Sequence, residues 1–393
     1  MDPIWQQLIC GSLDPLLKAA ESVDPTDAAS LQSLRSKGSA EQVAVILSLL
    51  EARKRARGRL EHHDQLWLSV DSVQQATRTS VACHKARRFR TVLGDGPVID
   101  LCCGIGSDAM ALAEGGAVIL VDRDPLRLRL ARANLARMGQ PAWALNADAR
   151  ALPLPPLPLH IDPDRRVGSQ RRHRYDQMHP GPAVLEQLME RHPDLALKCG
   201  PGVDTDNLPA GEVEFIQDRR DLVEATLWRG KLDGSVARRA TLLPSGETIS
   251  GDPAALDPYP DENPAWIHEP VAAIERAGLV SQLQLRYQIG ELHPGLGWLA
   301  GNTPVSTPWL RSFEVIERIP WRQEKVKRWL RARGEGLSSI KTRGVSEDPG
   351  ALLKSFGGAA GELTLALLRH GRKKVAWILK EAGRGTAGDS DSI

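Results

Sequence analysis

Apolar positions three and four residues apart run through the first ninety residues. They are clearest in "DPTDAASLQSLRSKGSAEQVAVILSLLEARKRARGRL", where Asp and Ser stand at positions suited to N-caps. The pattern predicts helices over residues 1–92, the last of them "SVQQATRTSVACHKARRF", which runs up to the turn "GDGP". From Val98 the period changes. "VIDLCC", "AVILV", "PAWALN", "LPLHI" and "DLALKC" read as buried strands, separated by "SDAMALAEGG", "PLRLRLARANLARMG" and "PAVLEQLMERH" as helices. Such alternation predicts parallel βαβ units in a doubly wound, Rossmann-like α/β sheet, with ligands beyond the carboxyl ends of the strands.

Past residue 212 the helices thin out. "GEVEFIQ", "EATLWRG", "RRATLLPSGETIS" and "LQLRYQIG" read as an antiparallel extension, and "GDPAALDPYPDENPAWIHEP" as a Pro-rich connector. After "FEVIERIP" come an amphipathic helix, "WRQEKVKRWLRARG", strand "LSSIKTR", helix "DPGALLKSF" and strands "GELTLALLRHG" and "KKVAWIL", a βαβαββ order. The expected division is a helical region 1–92, a nucleotide-cofactor domain 93–235, a β extension and connector 236–312, an α+β module 313–382 and a disordered tail 383–393.

Length and charge refine this picture. At 393 residues the chain is long enough for two or three cores. A net charge of +2 carries no overall polyanion signal, so local clusters matter more. One such cluster lies between residues 317 and 384, where sixteen Lys and Arg face seven Asp and Glu, a candidate footprint for phosphates. Another is the loop "HIDPDRRVGSQRRHRYDQMHP" at 160–180. Five cysteines without a CxxC spacing argue against a structural zinc site and a disulfide framework, so no metal is expected and a reducing cytoplasm is the default. No stretch approaches a membrane span, and the amino terminus lacks the basic start of a signal peptide.

The candidate chemistry sits at the strand ends. "VIDLCCGIGSDAMALA" passes from Asp100 through Cys102, Gly104 and Gly106 into a helix beginning near Asp108, where backbone N–H groups are free to meet a ligand. Gly104-x-Gly106-x-x-Ala109 also satisfies the dinucleotide fingerprint. The second strand ends in Asp122-Arg123, placing a carboxylate where ribose hydroxyls would donate. This suits both a dinucleotide and S-adenosylmethionine. The third ends in "NADAR", with Asp148 and Ala149 placed to meet an adenine, and the fourth in Asp162-Pro163.

Acids at four successive strand ends resemble the class I S-adenosylmethionine-dependent methyltransferases over residues 95–230. The resemblance implies that Asp100, Cys102, Gly104, Gly106 and Asp108 hold the methionine end of S-adenosyl-L-methionine, Asp122 and Arg123 the ribose, and Asp148 and Ala149 the adenine. Asp162 and Pro163 would then face the acceptor. Thr77 in "QQATRTSV" is similar to the Thr of a Thr-Pro pair that precedes the equivalent helix in related enzymes, although Arg78 replaces the proline. His84, on that helix, is expected at the surface.

For the acceptor, Asp162-Pro163-Asp164-Arg165 is similar to the Asn/Asp-Pro-Pro-aromatic end of base-amine methyltransferases. "DPDRRVG" also resembles the "DPPRxG" of RNA uracil C5-methyltransferases, which implies a nucleophilic thiol at Cys199. Arg165 and Arg166 are the candidate substrate contacts. The whole layout over residues 70–380 resembles bacterial methyltransferases carrying a THUMP-like domain, distant relatives of the trimethylguanosine synthases, and implies an RNA base as substrate. The competing readings are a small-molecule methyltransferase, an NAD-dependent oxidoreductase and an RNA-binding protein with a degenerate cofactor fold.

Overall fold

The computed structural model describes residues 3–382 apart from Pro25, Pro141, Arg165, Gly168, Ser169, Arg172 and His173. The expected disorder of the tail and the role of Arg165 therefore lie outside the described residues.

Four helices open the chain: α1 (Pro3–Ile9), α2 (Asp14–Glu21), α3 (Ala28–Arg35) and α4 (Ala40–Ala56). Asp27 caps α3 by accepting from Ala29 N and Ser30 N, and Ser39 with Gln42 forms a reciprocal capping box on α4. The expected single helix before the first strand is two, α5 (Val70–Gln75) and α6 (Thr79–Leu93). The chain is extended at Ala76 and Arg78. Arg78 holds this break by donating to Asp218 at 2.9 Å and Asp221 at 2.6 Å.

The helical region is not a body apart from the sheet. Leu8, Leu49, Trp67 and their neighbours share one core with Ile105 and Leu130, which belong to the βαβ unit. Asn134, fully buried, fixes the seam: its Oδ1 accepts from Trp67 N at 2.7 Å while its Nδ2 donates to the carbonyls of Trp67 and Ile105. A buried amide survives only when so partnered.

Strands β1 (Val98–Leu101), β2 (Val118–Asp122), β3 (Ala142–Asn146) and β4 (Leu159–Ile161) alternate with α7 (Ser107–Ala113) and α8 (Pro125–Arg137). After β4 a short hairpin, β5 (Arg166–Val167) and β6 (Gln170–Arg171), leads to α9 (Pro182–Arg191). The chain continues through β7 (Leu195–Cys199), β8 (Glu212–Asp218), β9 (Asp221–Arg229), β10 (Arg238–Leu243) and β11 (Glu247–Gly251). The nine-stranded sheet runs β11-β10-β8-β9-β7-β4-β1-β2-β3. β1 to β4 and β7 are parallel, and β9 enters antiparallel between β7 and β8. The parallel strands thus present their carboxyl ends on one edge, where such sheets bind ligands.

A second unit comprises Ala237–Ala240 and the chain from Thr248 onward, the division running through the β10–β11 hairpin. Its sheet runs β13 (Gly290–Glu291), β14 (Leu299–Gly301), β12 (Trp266–Pro270), β15 (Leu310–Pro320), β18 (Lys373–Glu381), β17 (Leu363–His370) and β16 (Leu337–Arg343). The expected extension 236–312 is therefore split: β10 and β11 join the first sheet, β12 to β14 the second. "LQLRYQIG" is no strand but part of α11 (Val280–Tyr287), which follows α10 (Ala272–Ala277). α12 (Gln323–Arg333) and α13 (Pro349–Ser355) cover one face of the second sheet. On β18 the two faces alternate: Ala376 and Ile378 pack in the core formed with α12, Val375, Trp377 and Leu379 in the opposite core. Among the described residues no helix is long and apolar enough to cross a membrane.

Candidate active site

A cavity of about 480 Å³ opens at the carboxyl ends of the parallel strands in the first unit. Cys102, Gly104, Asp122, Arg123, Asp148, Ala149, Asp162 and Pro163 line it, as their places at strand ends imply. Asp100, Gly106 and Asp108 are not among the lining residues, and each has another task.

The two glycines of the first turn show the difference. Both have positive φ, +56° at Gly104 and +82° at Gly106. A Cβ at Gly104 would meet no atom within 4 Å, so this backbone faces open space that a ligand can enter. At Gly106 it would meet Leu135 at 3.0 Å and Ala131 at 3.2 Å, so this glycine lets α8 approach. Cys102 also takes a left-handed conformation, φ +60°, on the cavity wall. Burial, with Asp122, Asp162 and Asp100 nearby, pushes its thiol well above the ordinary value, which keeps it neutral.

Asp122 holds the turn from the next strand. Its Oδ2 accepts from Gly104 N at 3.0 Å and its Oδ1 from Asp124 N at 2.8 Å. Each carboxylate oxygen retains acceptor capacity for a hydroxyl. Burial raises the Asp122 pKa in spite of these two bonds. Asp148, also on the cavity wall, is chelated by the Arg150 guanidinium, whose side-chain bonds hold the carboxyl well below its usual range.

Behind the wall lies a buried polar network. Lys85, on the inner face of α6, is within 2.8 Å of Asp108 and 2.7 Å of Glu224. Its ammonium also lies 3.2 Å from His160 Nε2, and His160 Nδ1 lies 2.7 Å from Asp100 Oδ1. Asp108 Oδ2 accepts from the Thr77 hydroxyl, whose oxygen in turn accepts from Lys198 Nζ at 2.7 Å. Burial alone would raise the Asp108 carboxyl, but Lys85, His160 and Lys198 together hold it far below its ordinary value. At Asp100 burial prevails over His160, and the pKa rises. Asp100 and Asp108 thus anchor the turn after β1 from behind the cavity wall. Thr77, buried and on the cavity wall despite Arg78 standing in place of proline, joins that network to the cavity.

On the acceptor side, Lys198 Nζ lies 2.5 Å from Asp162 Oδ2. Lys198 projects from β7 into the cavity lining, while the next residue, Cys199, is fully buried with its Sγ against Leu197 O. Strand alternation puts the two on opposite faces, which removes Cys199 as a nucleophile. Asp164 and His179 close the base of the basic loop through a pair of backbone bonds, 2.8 and 2.9 Å, and the His179 ring lies 2.8 Å from Arg123. Arg166 belongs to β5 within this loop. His84 is not a surface residue: its Nε2 lies 2.8 Å from the buried Glu214. Among the described residues, no group of three or more His, Cys, Asp or Glu could hold a metal ion.

Sequence reasoning passed over Lys85, His160, Lys198 and Glu224. The signal existed for two of them. Lys85 falls on the apolar stripe Ala82, Ala86, Phe89, and Lys198 interrupts "LALKC", and lysines at such positions are nearly always paired.

Residues 310–381, from β15 to β18, match the family model described as THUMP domain-like. The chain is 36% identical over 334 residues to an uncharacterised S-adenosylmethionine-dependent methyltransferase of Mycobacterium tuberculosis, in strains CDC 1551 and H37Rv. The alignment covers 81% of this chain and 86% of the relative. A crystal structure of a methyltransferase-like protein from Porphyromonas gingivalis W83 superposes with a TM-score of 0.78 at 19% identity, covering 94% of this chain and 98% of that one.

Proposed function

The chain belongs to the S-adenosylmethionine-dependent methyltransferases, and from that premise we propose that it methylates a base in RNA, in the cytoplasm. The open backbone at Gly104 and the remaining acceptor capacity of Asp122 fit the cofactor. Gly104 and Cys102 would receive its methionine end, Asp122 and Arg123 the ribose, and Asp148 and Ala149 the adenine, while Asp100, Gly106 and Asp108 hold the turn from behind. When bound, S-adenosylmethionine supplies a methyl group already activated on a positive sulfur, so the protein's own task is chiefly alignment. Asp162 and the Pro163 carbonyl orient the acceptor, and Arg165 and Arg166 in the following loop contact its phosphates.

The observation that carries RNA as the substrate is the basic surface of the THUMP-like module. Arg322, Lys325, Arg328 and Arg331 recur every third residue at the start and along α12, exposed and without an ion-pair partner among the described residues. Cations left unpaired in a row are suited to a phosphate backbone. The test is incubation of the protein with methyl-labelled S-adenosylmethionine and RNA from cells lacking it, at low and high salt. Label in RNA that fades steeply with salt supports the reading. Label only in a small molecule, indifferent to salt, overturns it.

A further inference from the structure

Lys198 is the last residue but one of β7, a strand buried along its whole length, and its own side chain is only 6% exposed. A lysine is kept there by its partners, and both partners belong to the cavity wall: Asp162 Oδ2 at 2.5 Å and Thr77 Oγ1 at 2.7 Å. The Asp162 side chain, 24% exposed, is the more open of the two ions. Its second oxygen, Oδ1, has no hydrogen-bond partner among the described residues. One carboxylate oxygen is thus clamped, and the other is left for a further partner on a residue that lines the cavity.

We propose that Lys198 is a positioning residue for the methyl acceptor. It fixes the carboxylate of Asp162 through Oδ2, so that Oδ1 accepts an N–H from the acceptor, which is therefore an exocyclic amine rather than a ring carbon or a ribose hydroxyl. This rests on the base-methylation reading for what carries the amine. A ring-carbon acceptor would call for a nucleophile, and Cys199, the thiol nearest in sequence, is turned into the core. A hydroxyl acceptor would spend its one proton on this bond, whereas an amine keeps a second N–H, for which the backbone carbonyl of Pro163, a residue of the cavity lining, would be the acceptor. The nitrogen would take the methyl group as the cofactor's methyl C–S bond breaks and leaves its electron pair on a neutral sulfur, and the nitrogen's surplus proton would pass to Asp162 Oδ1 and from there to water.

The proposal is tested with Lys198→Met and Lys198→Arg in the full chain, using methyl-labelled S-adenosylmethionine with both the RNA and the small-molecule fractions of cells lacking the protein. Mass spectrometry of the labelled product locates the methyl group. The expected product carries it on an amine nitrogen. Lys198→Met should lower kcat about 100-fold, the cost of an acceptor misplaced by about 1 Å. Calorimetric affinity for S-adenosylmethionine should stay within roughly threefold, since the lost contact is on the acceptor side. Lys198→Arg, which keeps a cation against Asp162, should restore most of the rate. If Lys198→Met is insoluble, Lys198→Gln is read the same way.

A variant that loses cofactor affinity and thermal stability together, with no rescue of the rate by Lys198→Arg, would mean a purely structural lysine. Label on a ring carbon or a ribose hydroxyl of RNA would overturn the amine assignment and leave the RNA reading intact. Label on a nitrogen of a small molecule would do the opposite. No label in either fraction would overturn both.

Discussion

Around Lys85 each charged group sits within about 3 Å of an opposite charge, whereas Arg322, Lys325, Arg328 and Arg331 along α12 have no ionic partner among the described residues. The first arrangement is inside the protein and the second is in water. An unpaired ion costs several kcal/mol in the core and almost nothing at the surface. The buried set fixes one geometry for the cofactor turn, and the exposed set is left over for an outside partner. Removing a charge should therefore hurt folding in one region and only binding in the other.

The largest effect is expected at Lys85. Lys85→Met strands Asp108 and Glu224 as buried charges and should cost about 3–5 kcal/mol in urea unfolding. A loss below about 1 kcal/mol would show that the network is wetter and looser than its distances indicate.

A second buried pair responds to pH. Burial alone would raise Glu214, but the bonds from His84 and Thr241 and the charge of Arg88 hold it down at about 2, below the ordinary 4.5. A depressed carboxyl stabilises the fold above its unfolded pKa, and that stability drains away as pH falls from about 4.5 towards about 2, up to roughly 3 kcal/mol. Thermal midpoints across this range should fall more steeply for the native chain than for Glu214→Gln.

Asp122→Ala comes next. It removes the carboxylate acceptor for the ribose and should weaken S-adenosylmethionine in calorimetry by about 2–3 kcal/mol, which is roughly 30- to 150-fold. The smallest change in stability is expected from the double substitution Arg328→Ala and Arg331→Ala. Its unfolding free energy should stay within about 0.5 kcal/mol, while the slope of log RNA affinity against log salt drops by about 2. If that slope is unchanged, the row on α12 is a solvated face and the contrast between the two regions loses its functional half.

The outline of the cavity was readable because strand ends announce themselves: Asp122, Asp148 and Asp162 all line it. Direction was not readable. The spacing of Gly104, Gly106 and Asp108 cannot tell a residue that faces the ligand from one that faces α8 or α6, and only the first of the three borders the cavity. Cys199 next to Lys198 is the same problem on a strand, where one residue's shift exchanges core for cavity. "LQLRYQIG" misled by its alternation of Leu283, Leu285, Tyr287 and Ile289. In α11 Val280 and Leu283 are buried while Leu285 is 78% exposed, the helical period prevailing through contacts that a short window does not contain. The block expected at 236–312 divides between the two sheets for a related reason, since the partners of β10 to β14 are distant in sequence.

The most direct test of the account is the identity of the labelled nucleoside after the native protein and Asp162→Ala are each given methyl-labelled S-adenosylmethionine and RNA from cells lacking the protein. The account predicts a single base-methylated nucleoside from the native chain, lost in the variant while the variant still binds the cofactor. Label that persists undiminished in Asp162→Ala, or that appears only outside RNA, would contradict it.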